Sequence, residues 1–261
     1  MSRVIAVANQ KGGVGKTTTV VNLAASMAQA GKKILVIDMD PQANASSGLG
    51  INQEKIRRSV YDMLIDGNSA KRVIRHTGFE NLDILPSSIR LVGAEVELVA
   101  MIAREQILRK ALEPIRDRYD YLLADCPPSL GLLTINTLTA ADSVLIPIQT
   151  EYFALEGLSK LLNTIRLVQK HLNNTLEIEG ILLTMFDSRL NLSNQVMDDV
   201  LQFFRGRVFR TVIYRNVKLS EAPSHGKPIA FYDSSSRGAE NYQDLAKELL
   251  NHEKQIVRKG S

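Results

Sequence analysis

The sequence predicts an α/β fold in which a mostly parallel sheet carries helices on both faces, in a doubly wound arrangement. Short continuous apolar runs, such as residues 4–8 and 34–37, are typical of strands that are buried on both sides. Segments of helical period separate these runs, so strands and helices alternate along the chain. Glycine, lysine and aspartate follow several strands, and open parallel sheets bind ligands at that edge.

The strands are predicted from apolar runs of four to seven residues between turn signals. Six are expected, at residues 4–8, 34–37, 82–85, 121–124, 144–148 and 178–184, and residues 208–213 are a candidate seventh. The segment 49–78 is polar and irregular, which indicates an excursion from the core.

The helices are predicted from apolar residues that recur at helical spacing. Gly31 closes the first, and Pro114 is expected to bend the second. The expected helices are 17–30, 95–118, 155–172, 192–204 and 237–253. Because no repeat, low-complexity segment or Pro/Gly/Ser-rich linker interrupts this alternation, the sequence predicts a single domain over residues 1–261.

Composition excludes several classes of protein. The chain has 261 residues, of which 44% are apolar and 23% charged, as in an ordinary globular protein. Cys126 is the single cysteine, so the chain has no internal disulfide and no site made of several cysteines. We expect it to be a small buried apolar residue. The N-terminal apolar run of five residues is too short for a signal peptide, which predicts a cytoplasmic location.

The net charge of +4 is unevenly distributed. Residues 1–200 contain 21 basic and 22 acidic residues, whereas residues 201–261 contain 11 basic and 6 acidic residues. The last quarter of the chain could therefore present a basic face to a polyanion. A solvated helical surface explains the same charge, and charge alone favours that explanation.

A glycine-rich turn between the first strand and the first helix is the strongest motif in the sequence. Residues 10–18 read Q-K-G-G-V-G-K-T-T and match the end of the P-loop pattern, although Gln10 replaces its first glycine. Glycines let successive backbone N–H groups surround a phosphate, and the helix start adds positive charge. Lys16 can reach the β- and γ-phosphates, and the Thr17 hydroxyl can bind Mg²⁺. The predicted nucleotide-binding residues are Lys11, Gly12, Gly13, Val14, Gly15, Lys16, Thr17 and Thr18.

The loop contains a second lysine, Lys11, which an ordinary P-loop does not need. The run K-G-G-V-G-K-T-T, residues 11–18, resembles the deviant Walker A motif of the ParA/MinD family of ATPases. The resemblance implies that Lys11 reaches across a dimer interface to the phosphates of the partner, a catalytic role like that of an arginine finger. It implies that Gly12 is small because the two subunits meet there. ATP would then hold a symmetric homodimer together.

Three aspartates follow strands that end at the same edge. Asp38 and Asp40 stand in D-M-D-P-Q, and Asp125 ends an apolar strand in L-L-A-D-C-P-P. Asp125 matches the Walker B position, where a carboxylate holds Mg²⁺ directly or through water. The resemblance implies that Asp40 orients the attacking water and that Asp38 lies near the water shell of the metal. Turn formation before Pro41 is the alternative explanation for Asp40, and it fits only in part.

Further segments are similar to the chromosomal ParA proteins often called Soj, and the similarity extends over essentially the whole chain. These segments are residues 40–50, 133–138, 151–158 and 219–229. The resemblance implies an Mg-ATP-dependent dimer that binds double-stranded DNA without sequence preference and is associated with the nucleoid. It also implies slow ATP hydrolysis, stimulated by a ParB-type partner, in the partitioning of chromosomes or plasmids.

Four residues in the C-terminal third receive roles from the same resemblance. Arg215 and Asn216 stand where the family has an R-N pair near the base of the nucleotide, although Tyr214 replaces the usual proline before it. Arg189 matches a position implicated in DNA contact, and Arg237 is a similar candidate. An exposed loop arginine with no ligand explains Arg189 equally well.

Proteins of two other functions share the deviant P-loop. A MinD-like membrane-cycling ATPase needs an amphipathic C-terminal helix, but the tail offers only Ile256 and Val257 as apolar residues. No membrane partner is therefore expected. A reductase like the nitrogenase iron protein needs two cysteines per subunit to hold its cluster, and Cys126 alone excludes it.

Overall fold

Seven strands form one central sheet in the computed structural model, which describes residues 2–151 and 154–259, with side chains for 2–151 and 157–251. The strands are β1 (Arg3–Val7), β2 (Ile34–Asp38), β3 (Arg75–His76), β4 (Leu82–Leu85), β5 (Tyr121–Asp125), β6 (Ser143–Gln149) and β7 (Glu177–Thr184). Their order across the sheet is β3-β4-β2-β5-β1-β6-β7. All neighbours pair in parallel except β3 and β4, which are antiparallel.

The helices connect the strands. They are α1 (Lys16–Gln29), α2 (Asn44–Gly48), α3 (Val60–Leu64), α4 (Ala70–Val73), α5 (Leu91–Glu97), α6 (Ile107–Leu112), α7 (Leu132–Ala140), α8 (Ala154–His171), α9 (Asn191–Phe203), α10 (Val217–Glu221), α11 (Ile229–Tyr232) and α12 (Arg237–Lys259). Short 3₁₀ turns span Gln53–Lys55, Leu98–Ala100, Arg104–Gln106, Glu113–Arg118 and Ala222–His225.

The core lies on both faces of the sheet, because successive side chains of a strand point to opposite faces. In β1, Val4 and Ala6 join the apolar cluster that also contains the buried residues of α6 to α9. Ile5 and Val7 join the other cluster, which contains the buried faces of α1 and α12. These two apolar layers around a mostly parallel sheet confirm the predicted fold class.

Two predicted elements are wrong. The expected helix over residues 95–118 is divided into α5, α6 and three 3₁₀ turns. Met101 is extended and Ala103 has a φ of 52°, so the helix ends well before Pro114. The candidate strand 208–213 forms a single isolated bridge, which pairs Val208 with Ile181 of β7.

The segment 49–78 is also more ordered than expected. It contains α3, α4 and β3, and Val60, Met63, Leu64 and Val73 are buried in the main apolar cluster. The excursion therefore covers one face of the sheet, because its few apolar side chains are spaced to face the core.

Some predictions fall on parts that the structure does not describe. Residues 152 and 153 of the segment 151–158, and the side chains of Ile256 and Val257, lie outside the described residues. In the part of the chain that is described, no helix is long and apolar enough to cross a membrane.

Candidate nucleotide-binding site

The glycine-rich loop joins β1 to α1 at the carboxyl edge of the sheet. Gly13 and Gly15 have φ values of 75° and 86°, in the left-handed region that glycine adopts without strain. The Thr184 hydroxyl at the end of β7 donates to the carbonyl of Val14 at 2.9 Å, and Val14 itself is buried. The sheet therefore supports the buried side of the loop at Val14, while Gly12 and Gly13 are exposed to solvent.

Lys16 begins α1 and is nearly buried, with 7% of its surface exposed. Its Nζ donates to the carbonyl of Lys11 at 3.1 Å, across the mouth of the loop. Burial lowers the pKa of Lys16, while the charges of Asp125 and Asp40 oppose that shift. No side chain caps α1 at Gly15, so its first N–H groups remain available to an anion.

Asp125 lies at the centre of the same edge. β5 runs between β1 and β2, and its last residue is in register with Val7 on one side and Asp38 on the other. Both carboxylate oxygens of Asp125 are buried and accept no hydrogen bond from any described residue. Burial and the charge of Asp38 raise the pKa of Asp125 well above the usual value, and the nearby Thr17 hydroxyl, which lacks hydrogen-bond geometry, lowers that pKa only in part.

The unpartnered Asp125 carboxylate fits a divalent cation, because a buried charge needs compensation. Among the described residues no group of three His, Cys, Asp or Glu side chains could hold a metal by itself. Mg²⁺ at this site would therefore take most of its ligands from phosphates and water, as Mg²⁺ prefers.

Asp38 and Asp40 are positioned by serines that the sequence analysis did not single out. Asp38 Oδ2 accepts from the Ser46 backbone N–H at 2.8 Å and from the Ser46 hydroxyl at 2.6 Å. The Ser87 hydroxyl donates to the Asp40 carbonyl at 2.6 Å, and Asp40 Oδ1 accepts from the Gln42 N–H at 2.9 Å. Burial raises the pKa of Asp38 to about 7.

Lys11 forms an ion pair within its own chain. Its Nζ lies 2.9 Å from Oε2 of Glu151, and Gln149 donates to the other oxygen of that carboxylate at 2.5 Å. The backbone N–H of Lys11 donates to Asn9 Oδ1 at 3.0 Å. Both charged side chains are partly exposed, 33% for Lys11 and 48% for Glu151, so the pair can open at small cost.

Gly12 is exposed beside Lys11, and its own chain does not require a glycine there. A Cβ added at Gly12 would meet the Cβ of Pro128 at 4.0 Å, an ordinary contact. The prediction that a second subunit approaches Gly12 is compatible with this open surface.

A cavity of about 240 Å³ lies beside Gly15, between β7 and α10. Thr18, Arg215 and Asn216, all predicted to bind nucleotide, line it together with Tyr242. Asn216 Oδ1 accepts from the Lys218 N–H at 2.8 Å and caps α10. The cavity is smaller than the ~300–1,000 Å³ pockets that hold drug-sized ligands, so it fits a part of a nucleotide such as its base.

Arg189 and Arg237, the residues predicted to contact DNA, lie near this cavity. The guanidinium of Arg189 donates two hydrogen bonds to Asp187, at 2.9 and 2.6 Å, and the backbone N–H of Arg189 donates a third at 3.1 Å. Together they lower the pKa of Asp187 to about 2. The guanidinium of Arg237 stacks 3.4 Å from the centre of the Tyr214 ring, which packs edge-on against Phe186. Arg189 contacts Asp187, the neighbour of Phe186, and Phe186 contacts Tyr214, on which Arg237 stacks. The two arginines are therefore connected through adjacent side chains.

Sequence reasoning missed several residues that shape the site. They are Asn9, Ser46, Ser87, Glu151 and Thr184. Ser46 and Glu151 fall within segments noted for resemblance but without a role, and the others carry no local motif. The contacts of Ser87, Glu151 and Thr184 with predicted site residues join positions at least 47 apart in the sequence, so only the folded chain reveals them. Cys126 is buried as expected, and burial raises the pKa of its thiol to about 12.

Comparison with known proteins agrees with this geometry. A family model described as an AAA domain matches residues 2–178. The sporulation initiation inhibitor protein Soj of Bacillus subtilis is 61% identical over 249 residues, which cover 95% of this chain and 98% of Soj. The chromosome partitioning protein ParA of Myxococcus xanthus is 53% identical over 253 residues, which cover 97% of this chain and 89% of ParA.

Solved structures share the whole fold. One is named cobyrinic acid a,c-diamide synthase from Mycobacterium smegmatis and was solved with ADP and magnesium. It superposes with a TM-score of 0.86 at 37% identity and covers 97% of this chain and 96% of its own. The same protein was solved with an ATP analogue and magnesium.

The glycine-rich loop, the buried lysine and the unpartnered carboxylate define a P-loop site of the kind that binds nucleoside phosphates. With relatives of this identity over nearly the full chain, the protein belongs to the ParA/MinD family of P-loop ATPases, alongside the Soj and ParA chromosome partitioning proteins.

The raised pKa of Asp38 predicts a pH-dependent stability. A carboxyl whose pKa rises on folding stabilises the fold below its unfolded value and loses that contribution as the pH rises through its folded value. Without nucleotide or Mg²⁺, the free energy of unfolding should fall between pH 4 and 7. The fall should be steeper in the wild type than in Asp38→Asn, by up to about 1.4 kcal/mol per pH unit.

Urea unfolding at pH 4.5, 5.5 and 6.5 in the presence of a chelator measures this slope. Asp198→Asn, which changes an exposed aspartate of α9, should behave like the wild type. Equal slopes in the wild type and Asp38→Asn would contradict the assignment.

Proposed function

We propose that the chain is a chromosome or plasmid partitioning ATPase that binds non-specific double-stranded DNA as an ATP-bound dimer. Hydrolysis, stimulated by a ParB-type partner, would return it to the monomer. The single observation that carries the proposal is Lys11, a charged residue at the exposed mouth of a P-loop whose own phosphate lysine is Lys16. We further propose that residues 1–261 act as one domain, in the cytoplasm and on the nucleoid.

ATP binding would use the backbone of the loop first. The left-handed conformations of Gly13 and Gly15 support a ring of N–H groups around the β-phosphate, continued by the start of α1. Lys16 would exchange its bond to the Lys11 carbonyl for the β- and γ-phosphates. The base would enter the cavity lined by Thr18, Arg215 and Asn216, where the Asn216 amide nitrogen is the polar donor.

Mg²⁺ would neutralise charge on the phosphates, and its proposed protein ligands are Thr17 and Asp125, with Asp38 near its water shell. Asp125 supports this role because neither of its oxygens has a protein donor. One carboxylate oxygen of Asp38 already accepts two hydrogen bonds from Ser46. Asp38 would therefore bind water molecules around Mg²⁺ rather than the ion itself.

Asp40 would orient the water that attacks the γ-phosphate. Its carbonyl is anchored by Ser87 and one carboxylate oxygen by Gln42, which fixes the chain around the carboxylate. A fixed carboxylate positions a nucleophile without reorganisation at the moment of reaction.

Dimerisation would exchange one ion pair for another. Within one chain, Lys11 is held by Glu151, and in the proposed dimer its ammonium would approach the partner's triphosphate. The Glu151 pair is partly exposed and weak, whereas contact with several phosphate charges in a dry interface is stronger. ATP on the partner would therefore draw Lys11 away from Glu151 and couple nucleotide binding to self-association.

DNA binding would use Arg189 and Arg237 near the nucleotide. Arg215 lines the base cavity, and its charge helps to lower the pKa of Asp187, which holds Arg189. This proximity supports a DNA-binding surface whose shape depends on whether nucleotide is bound and whether the dimer has formed. Contacts to phosphates alone would give no sequence preference and a steep dependence on salt.

The Lys11 exchange predicts opposite effects of two substitutions. Lys11→Ala should bind ATP as a monomer but lose ATP-induced dimers, because the contact to the partner is missing. Glu151→Gln should dimerise at a lower protein concentration, because each of two released pairs is worth about 0.2–1 kcal/mol. The dimer dissociation constant should fall roughly 2- to 30-fold.

Light scattering over a protein titration with a non-hydrolysable ATP analogue measures both effects. Glu177→Gln, an exposed glutamate at the start of β7, is the matched control. Normal dimers in Lys11→Ala, or weaker dimers in Glu151→Gln, would contradict the exchange.

The DNA surface is tested by Arg189→Glu. We expect lower affinity for a random duplex and a salt dependence reduced by about one phosphate contact, with ATP-driven dimerisation unchanged. Arg72→Glu, at the opposite side of the sheet, should leave DNA affinity unchanged. Fluorescence anisotropy at several salt concentrations gives both quantities. An Arg189→Glu protein with wild-type affinity would remove Arg189 from the surface.

A further inference from the structure

A groove between α8 and α9 lies at the end of the sheet opposite the nucleotide site. Its volume is about 420 Å³, and Ile178, at the start of β7, forms part of its floor. Thr184, at the other end of β7, contacts the P-loop. We call this surface the α8–α9 groove. The full length of β7 separates it from the proposed nucleotide-binding site.

The floor of the α8–α9 groove is apolar. Ile165 of α8 is buried, and Ile178 and Phe204 are partly buried against the main core. Phe203, the last residue of α9, stands on the rim with 70% of its surface exposed. An aromatic side chain exposed to this extent beside an apolar floor is typical of a surface that binds another apolar group.

The walls of the α8–α9 groove are basic. Arg166, Arg205 and Arg207 line it, and no acidic side chain does. Within the described part of the chain none of the three forms an ion pair, and Arg166 meets only the amide oxygen of Asn163, at 3.3 Å. Three guanidinium groups around one apolar floor thus remain available to carboxylates.

We propose that the α8–α9 groove binds an acidic peptide segment of a partner protein. A leucine or aromatic side chain of the peptide would lie on the apolar floor against Phe203. Its flanking Asp or Glu carboxylates would pair with Arg205 and Arg207 on one side and Arg166 on the other. Charge complementarity fixes the sign of the partner, and the apolar floor favours a peptide over DNA, because phosphates make no use of such a floor.

The inference goes beyond the proposed function and is independent of it. The groove shares no residue with the P-loop, the base cavity or the proposed DNA contacts. A protein that failed to dimerise with ATP would still present this surface, so the two proposals fail separately.

The test uses the full chain and three fluorescein-labelled 12-residue probe peptides. The first alternates Glu and Asp with Leu and Phe, the second replaces the apolar residues by serine, and the third replaces the acidic residues by lysine. A random 30-base-pair duplex is the fourth probe. Fluorescence anisotropy at 0.15 M salt compares the wild type with Arg205→Glu/Arg207→Glu and with Phe203→Ser.

Only the first peptide should bind the wild type well, at least tenfold more tightly than the other two peptides. Arg205→Glu/Arg207→Glu and Phe203→Ser should each weaken that binding at least fivefold while retaining ATP binding, which reports on folding. Lys71→Glu/Arg72→Glu, on the far side of the sheet, should have no effect. Equal binding of the first and second peptides, or a loss confined to DNA binding, would overturn the proposal.

Discussion

A carboxylate without a hydrogen-bond donor at the middle of the sheet edge is the constraint on which the site depends. Asp125 ends β5 between the strand that leads into the P-loop and the strand that ends at Asp38. Burying such a charge costs free energy, and the fold retains it next to Lys16, whose charge it stabilises. A divalent cation would relieve the repulsion between Asp125 and Asp38, so binding of such a cation would stabilise the folded chain.

Lys11, the second lysine of the loop, is the residue through which ATP is proposed to control self-association. The Lys16 ammonium is buried and bonds to the Lys11 carbonyl of its own loop, whereas the Lys11 side chain is partly exposed and held by Glu151. The ion pair with Glu151 is weak, so it holds the Lys11 side chain within its own chain only loosely. A somewhat stronger contact with a second subunit would therefore be enough to displace it. In the proposed function, the same chain would be stable as a monomer and would respond to ATP by association.

The sequence predicted most of the sheet and the position of the glycine-rich loop because both depend on local signals. The apolar run of 82–85 is β4 residue for residue, and the loop 11–18 joins a strand to a helix as expected. It failed where distant contacts decide. Asn136 of α7 bonds to the Arg104 carbonyl and the Leu108 N–H beside a left-handed Ala103, where the helix predicted over 95–118 is divided, and residues 208–213 bridge to β7 without forming a strand. Glu151, 140 residues from Lys11, was beyond sequence reasoning for the same reason.

A mixing experiment tests most directly whether Lys11 acts across the dimer. Lys11→Ala can bind ATP but cannot donate the ammonium, and Lys16→Ala can donate it but cannot bind ATP. Each variant alone should be inactive, and a mixture should regain ATP hydrolysis, because one site of the mixed dimer is complete. A mixture as inactive as its two components would contradict an action in trans and leave a P-loop ATPase that works within one chain.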